Sequence, residues 1–117
     1  MTTRMDRLST DIELFGGRNR TSVLLAICLL EQTWPSQLAQ VLSLRLFAVQ
    51  RILESLHREG VLASRVAGRT RLVTLNPRYF AAKPLRTLLW DLAKHDLPLQ
   101  EKLAALRRRP RQPGKPL

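Results

Sequence analysis

Cysteine is nearly absent. The single one, Cys28, excludes an internal disulfide and any cysteine-rich zinc site. Long apolar runs are missing as well: the longest, residues 23–30, is far too short to span a bilayer, and no membrane association is expected. Residues 1–13 contain Asp6, Asp11 and Glu13 and have no apolar core, so they do not read as a secretory signal, and a cytoplasmic location is expected. No glycine-rich phosphate loop, nucleophile elbow or carboxylate cluster occurs, and Gly16-Gly17 reads as a linker. The expectation is a protein that is not an enzyme and holds no cofactor.

Acidic residues are also scarce. Lys+Arg number 20 against 9 Asp+Glu, a formal charge of +11 on 117 residues. Such an excess does not help a small domain fold, because the charges repel. It does favour encounter with a polyanion. Residues 107–117 (RRRPRQPGKPL) hold five basic residues, three prolines and a glycine, which predicts a disordered basic tail. Without that tail, 15 basic residues still face 9 acidic ones, so the folded part is basic in its own right. Apolar residues make up 44 % of the chain, enough for one globular domain with a core.

Periodicity divides the chain into helices and a hairpin. Leu8, Ile12 and Phe15 fall at helical spacing in a short N-terminal helical segment, residues 1–18, which Gly16-Gly17 breaks. Asn19 is the expected cap of a helix through the apolar run, ending near residues 31–33. Trp34-Pro35-Ser36 turns into a short helix, with Ser36 as its expected cap and Leu38, Ala39 and Leu42 on one face. A longer helix follows over residues 45–59, with Val49, Leu53 and Leu56 as its core stripe and Gly60 as a left-handed terminator. The period then changes. Residues 61–66 and 70–75 are rich in β-branched residues and read as two strands joined by Ala67-Gly68-Arg69. Asn76-Pro77 is expected to end the second strand and open a helix; residues 84–94 read as another, and Asp96 before Pro98 as the cap of a last helix carrying Leu99, Leu103 and Leu106.

Helix, short helix, turn, longer helix, hairpin is the winged helix-turn-helix order. The expected fold is therefore mainly α with a β-hairpin, a winged helix-turn-helix with extra N- and C-terminal helices. The longer helix would expose the face opposite Val49, Leu53 and Leu56 to a major groove, and the hairpin would carry Arg65, Arg69 and Arg71 to backbone phosphates or the minor groove.

Residues 37–44 (QLAQVLSL), 49–56 (VQRILESL), 59–62 (EGVL) and 68–77 (GRTRLVTLNP) resemble ArsR-type and MarR-type winged helix transcriptional regulators, a likeness covering residues 20–79. The resemblance implies a sequence-specific DNA-binding regulator, a repressor, acting on double-stranded DNA as a homodimer. Gln50 and Arg51 match positions that commonly contact DNA, and glutamine with adenine and arginine with guanine are natural bidentate pairs. Where such regulators place a Ser or Thr cap and small polar residues, this chain has Arg45, Leu46, Phe47 and Ala48. Leu46 and Phe47 can meet thymine methyls or a partner protein, or Phe47 can fold back onto the core under the wing. Arg18, Arg20, Ser36 and Gln37 are expected as supporting phosphate contacts.

ArsR-type sensors carry cysteine pairs or His/Asp sets that bind metal. Here Cys28 sits in an apolar helix, His57 and His95 lie far apart, and Asp91 with His95 gives only two ligands, so no metal site is expected. Leu8, Ile12, Leu85, Leu88, Leu89, Trp90 and Leu92 supply apolar surface expected to form the dimer contact. The expected organisation is an N-terminal segment at 1–18, a DNA-binding domain at 19–80, dimerisation helices at 81–106 and a basic tail at 107–117. Two alternatives stay open: a protein-interaction module or antitoxin-like partner of an enzyme, and a non-specific architectural nucleic-acid binder.

Overall fold

The computed structural model describes residues 13–108, and the side chains of residues 107 and 108 lie outside that description. Leu8 and Ile12 fall outside it too, as do residues 109–117 of the basic tail. Five helices and one hairpin follow in the order α1 (Arg18–Leu30), α2 (Pro35–Leu42), α3 (Leu46–Arg58), β1 (Leu62–Ala67), β2 (Thr70–Leu75), α4 (Ala82–Lys94) and α5 (Leu97–Arg108). This is the winged helix-turn-helix architecture that the sequence pattern predicts.

Helix α1 is the centre of the fold. Thr21 and every residue from 23 to 28 are buried, so the helix meets neighbours on all sides. Leu38 and Val41 of α2, Val49, Leu53 and Leu56 of α3, and Val73 and Leu75 of β2 close on it. Leu89 and Ala93 of α4 and Leu99 and Leu103 of α5 belong to the same core, so the C-terminal helices complete the domain rather than stand apart from it.

The hairpin pairs in antiparallel register from Leu62↔Leu75 to Ala67↔Thr70, leaving a two-residue turn of Gly68-Arg69. Gly68 has φ +66, a left-handed conformation in which a side chain is strained. On its other edge β2 bonds to the α1–α2 connection. The Thr33 N–H donates to Val73 O (3.1 Å), and the Val73 N–H donates to Thr33 O (2.7 Å). The root of the wing is thereby fixed beside α2.

Several expected boundaries shift. Asn19 is not a cap: α1 starts two residues earlier than expected, at Arg18, with Gly17 (φ 142) at its N-cap. The Thr21 hydroxyl instead accepts from the Phe15 N–H at 3.1 Å. Ser36 is not a cap either, because Pro35, whose fixed φ suits a first helical turn, already begins α2 after Trp34. Asn76-Pro77 opens a turn and not a helix. The Asn76 side chain accepts from the Arg78 N–H (3.0 Å) and donates to Gly60 O (2.9 Å), which pins the chain against the end of α3 before α4 starts at Ala82. At the far end α5 continues through Arg108, two residues into the expected tail.

Asp96 does cap α5. It is buried, and its Oδ1 accepts from the Leu99 N–H at 3.1 Å. Asp96→Ala is expected to destabilise the fold by about 0.5–2 kcal/mol, while Asp96→Asn keeps most of that stability. Thermal unfolding of the two variants checks this.

Candidate nucleic-acid interface

The orientation of α3 is set by its buried stripe. With Val49, Leu53 and Leu56 facing inward, Phe47, Gln50, Arg51, Glu54 and Arg58 form one exposed stripe at intervals of three and four residues. Leu46 and Arg45 are exposed beside its start. Arg45 occupies the N-cap with no side-chain cap bond. Phe47 is 68 % exposed, which rules out the arrangement folded under the wing. Its ring instead carries the Arg51 guanidinium, 5.6 Å from the ring centroid.

The turn before α3 is short. Ser43 ends α2 in the left-handed conformation (φ 57, ψ 44), and the Leu44 N–H returns to Ala39 O at 3.0 Å. Behind α3, Arg20 donates to Ser55 Oγ and to Glu59 Oε1, both at 2.8 Å. This guanidinium is committed to holding the C-terminal half of α3 against the start of α1, and its expected role on phosphate is replaced by one of support. Gln37 is likewise engaged, its Oε1 accepting from the buried Thr33 hydroxyl at 2.6 Å. Arg18 and Ser36 are exposed.

The three wing arginines do not form a single patch. Arg65 pairs across the hairpin with Leu72, and Arg71 with Val66. Adjacent pairs in an antiparallel ladder point to opposite faces, so Arg65 and Arg71 diverge. Arg65 reaches Gln32 Oε1 (3.4 Å), Arg71 turns toward α3, and Arg69 is exposed in the turn.

Arg71 belongs to a polar cluster that sequence reasoning missed. His57 Nδ1 lies 2.9 Å from Leu53 O, and a carbonyl can only accept, so that nitrogen carries the proton. Nε2 and the Ser64 hydroxyl share a hydrogen bond at 2.6 Å. Arg71 Nε donates to Ser64 Oγ (3.4 Å), while its Nη2 lies 3.4 Å from His57 Nδ1, a contact between two donors and not a hydrogen bond. The cluster ties the last turn of α3 to both strands of the wing. Glu54 and Arg58 were also missed, although the spacing that starts at Phe47 and continues through Gln50 and Arg51 leads directly to them.

Elsewhere the expected contact residues divide. Leu89 is fully buried in the monomer's own core and presents nothing to a second copy. Leu85 and Leu92 are half-buried against that core, whereas Leu88 and Trp90 are each 39 % exposed. Cys28 is buried, and burial pushes its thiol above its ordinary range, against an opposing pull from Arg86. Among the described residues no three of His, Cys, Asp or Glu gather as metal ligands would. Nor is any described helix long and apolar enough to cross a membrane.

No protein-family model matches the sequence, and no curated protein does. Among solved structures the chain is similar to the adhesin competence repressor (AdcR) of Streptococcus pyogenes, with a TM-score of 0.54 and 21 % identity. The likeness covers 79 % of this chain and 67 % of that one. At this identity it is a likeness of fold, and it agrees with the winged helix built above.

If His57 and Ser64 join α3 to the wing, their contributions to stability are coupled. A double-mutant cycle with Ser64→Ala and His57→Ala is expected to give a coupling of about 0.5 kcal/mol or more. Additive losses would contradict the bridge.

Proposed function

We propose that this protein is a DNA-binding transcriptional regulator, a repressor, that acts as a homodimer. The observation that carries the reading is the outward stripe of α3, with Gln50 and Arg51 near its N-terminal end and the wing tied to its last turn. An exposed helix face and a neighbouring basic hairpin suit a duplex: the helix fits the major groove and Arg69 reaches phosphates or the minor groove beside it. Repression by occluding a promoter is consistent with the fold shared with a protein described as a repressor. The overall charge supports rapid encounter with DNA. The tail, residues 107–117, would add contacts to phosphate without regard to sequence.

In this reading Arg51 and Gln50 read bases, whereas Arg69 neutralises phosphate. Arg51→Ala or Gln50→Ala is expected to cost about 1–3 kcal/mol on a preferred site and little on random duplex. Arg69→Ala should weaken binding to all duplexes alike and lower the salt slope by about one. Fluorescence anisotropy titrations across a salt series separate the two outcomes. A second reading draws on the exposure of Leu46 and Phe47: a protein-interaction module docking through this apolar edge. It is supported instead if the Arg51 and Gln50 variants leave DNA binding unchanged while Phe47→Ala abolishes capture of a partner.

The dimer is expected to form through the terminal helices, where Leu88 and Trp90 stay partly exposed on α4. Two recognition helices would then meet half-sites about one turn, roughly 34 Å, apart. Light scattering at micromolar concentration should give a mass near twice that of one chain, reverting to one chain in a Leu88→Glu, Trp90→Glu variant. A monomer in the unaltered protein would contradict the dimer.

A further inference from the structure

Glu54 is the single acid in α3 (LFAVQRILESLHR), and it lies in the middle of the exposed stripe. A surface acid on a helix usually supports it by pairing with a cation three or four residues away. Arg51 and Arg58 stand at those spacings, yet among the described residues neither forms an ion pair with Glu54. Arg51 is placed over the Phe47 ring instead. The carboxylate is therefore exposed and unpaired, on a strongly basic chain and on the face that the proposed function turns toward DNA.

A free carboxylate in a major groove is selective because it can only accept. Guanine offers N7 and O6 there, and thymine offers O4 and a methyl, so both reject it. Adenine offers its N6 amino group, but N7 beside it is another acceptor. Cytosine offers the N4 amino group, the donor a carboxylate meets best. Phosphates repel it too, so Glu54 lowers affinity for DNA wherever its donor is missing. Gln50 lies four residues before Glu54, about 6 Å along the helix, so the two would address neighbouring base pairs of one site.

We infer that Glu54 is a specificity-determining residue that accepts a hydrogen bond from a cytosine amino group and penalises other bases at that position. This rests on the proposed DNA-binding reading. It assigns to α3 a donor-seeking reader alongside Gln50 and Arg51.

Selection of bound sequences from random duplex DNA, run on the full chain and on Glu54→Ala and Glu54→Gln, tests it alongside thermal unfolding. The unaltered protein is expected to select a motif with cytosine at one position. Glu54→Ala should lose that preference by about tenfold or more while the rest of the motif persists. Glu54→Gln should shift the same position toward adenine, with which an amide pairs in bidentate fashion. Both variants should unfold at the temperature of the unaltered chain, since the carboxylate holds no partner. The same motif from all three proteins, a uniform rise in affinity with no change of motif, or a loss of stability explaining the loss of binding would each overturn the role of Glu54 and leave the proposed function standing. No duplex binding by the unaltered chain would instead overturn the proposed function, and this inference with it.

Discussion

Helix α3 can face only one way. Val49, Leu53 and Leu56 must be buried, and the core that α3 shares with α1 and α2 is where they are buried. Rotating α3 by a single residue, about 100°, would expose that stripe, at several kcal/mol for the apolar side chains alone. The core thus fixes the outward stripe of Phe47, Gln50, Arg51, Glu54 and Arg58 without any of those residues taking part in it. Everything proposed for the surface depends on that orientation.

Two polar devices reinforce it at the C-terminal end of the helix. Arg20 grips Ser55 and Glu59 from the start of α1, and the His57–Ser64–Arg71 cluster joins the last turn of α3 to the wing. The Thr33–Val73 bridge then anchors the wing's root beside α2. The side-chain bonds are partly exposed, so each contributes modestly to stability. Their value is geometric: they hold helix and wing together, which suits the duplex contact proposed for the two.

Much of the fold was legible from local pattern. The three-and-four spacing of Val49, Leu53 and Leu56 located α3, the β-branched runs located both strands, and Asp96 before Pro98 marked the start of α5. Helix starts were less legible, because a backbone or proline solution can displace the polar residue that looks like a cap, as at Asn19 and Ser36. The division of the wing arginines was not legible, since facing depends on strand register, which composition does not fix. Arg20 looked free because its partners lie 35 and 39 residues away in sequence. Non-local contacts of this kind decide which cations of a basic chain stay free at the surface.

The outward stripe of α3 and the wing are proposed to form one nucleic-acid surface. Adding duplex DNA to the isotopically labelled full chain and following its backbone amide resonances tests this most directly. Shifts are expected to cluster on residues 45–58 and on the turn around Arg69, with α4 largely unmoved. Shifts confined to α4 and α5, or none at low salt, would contradict the account.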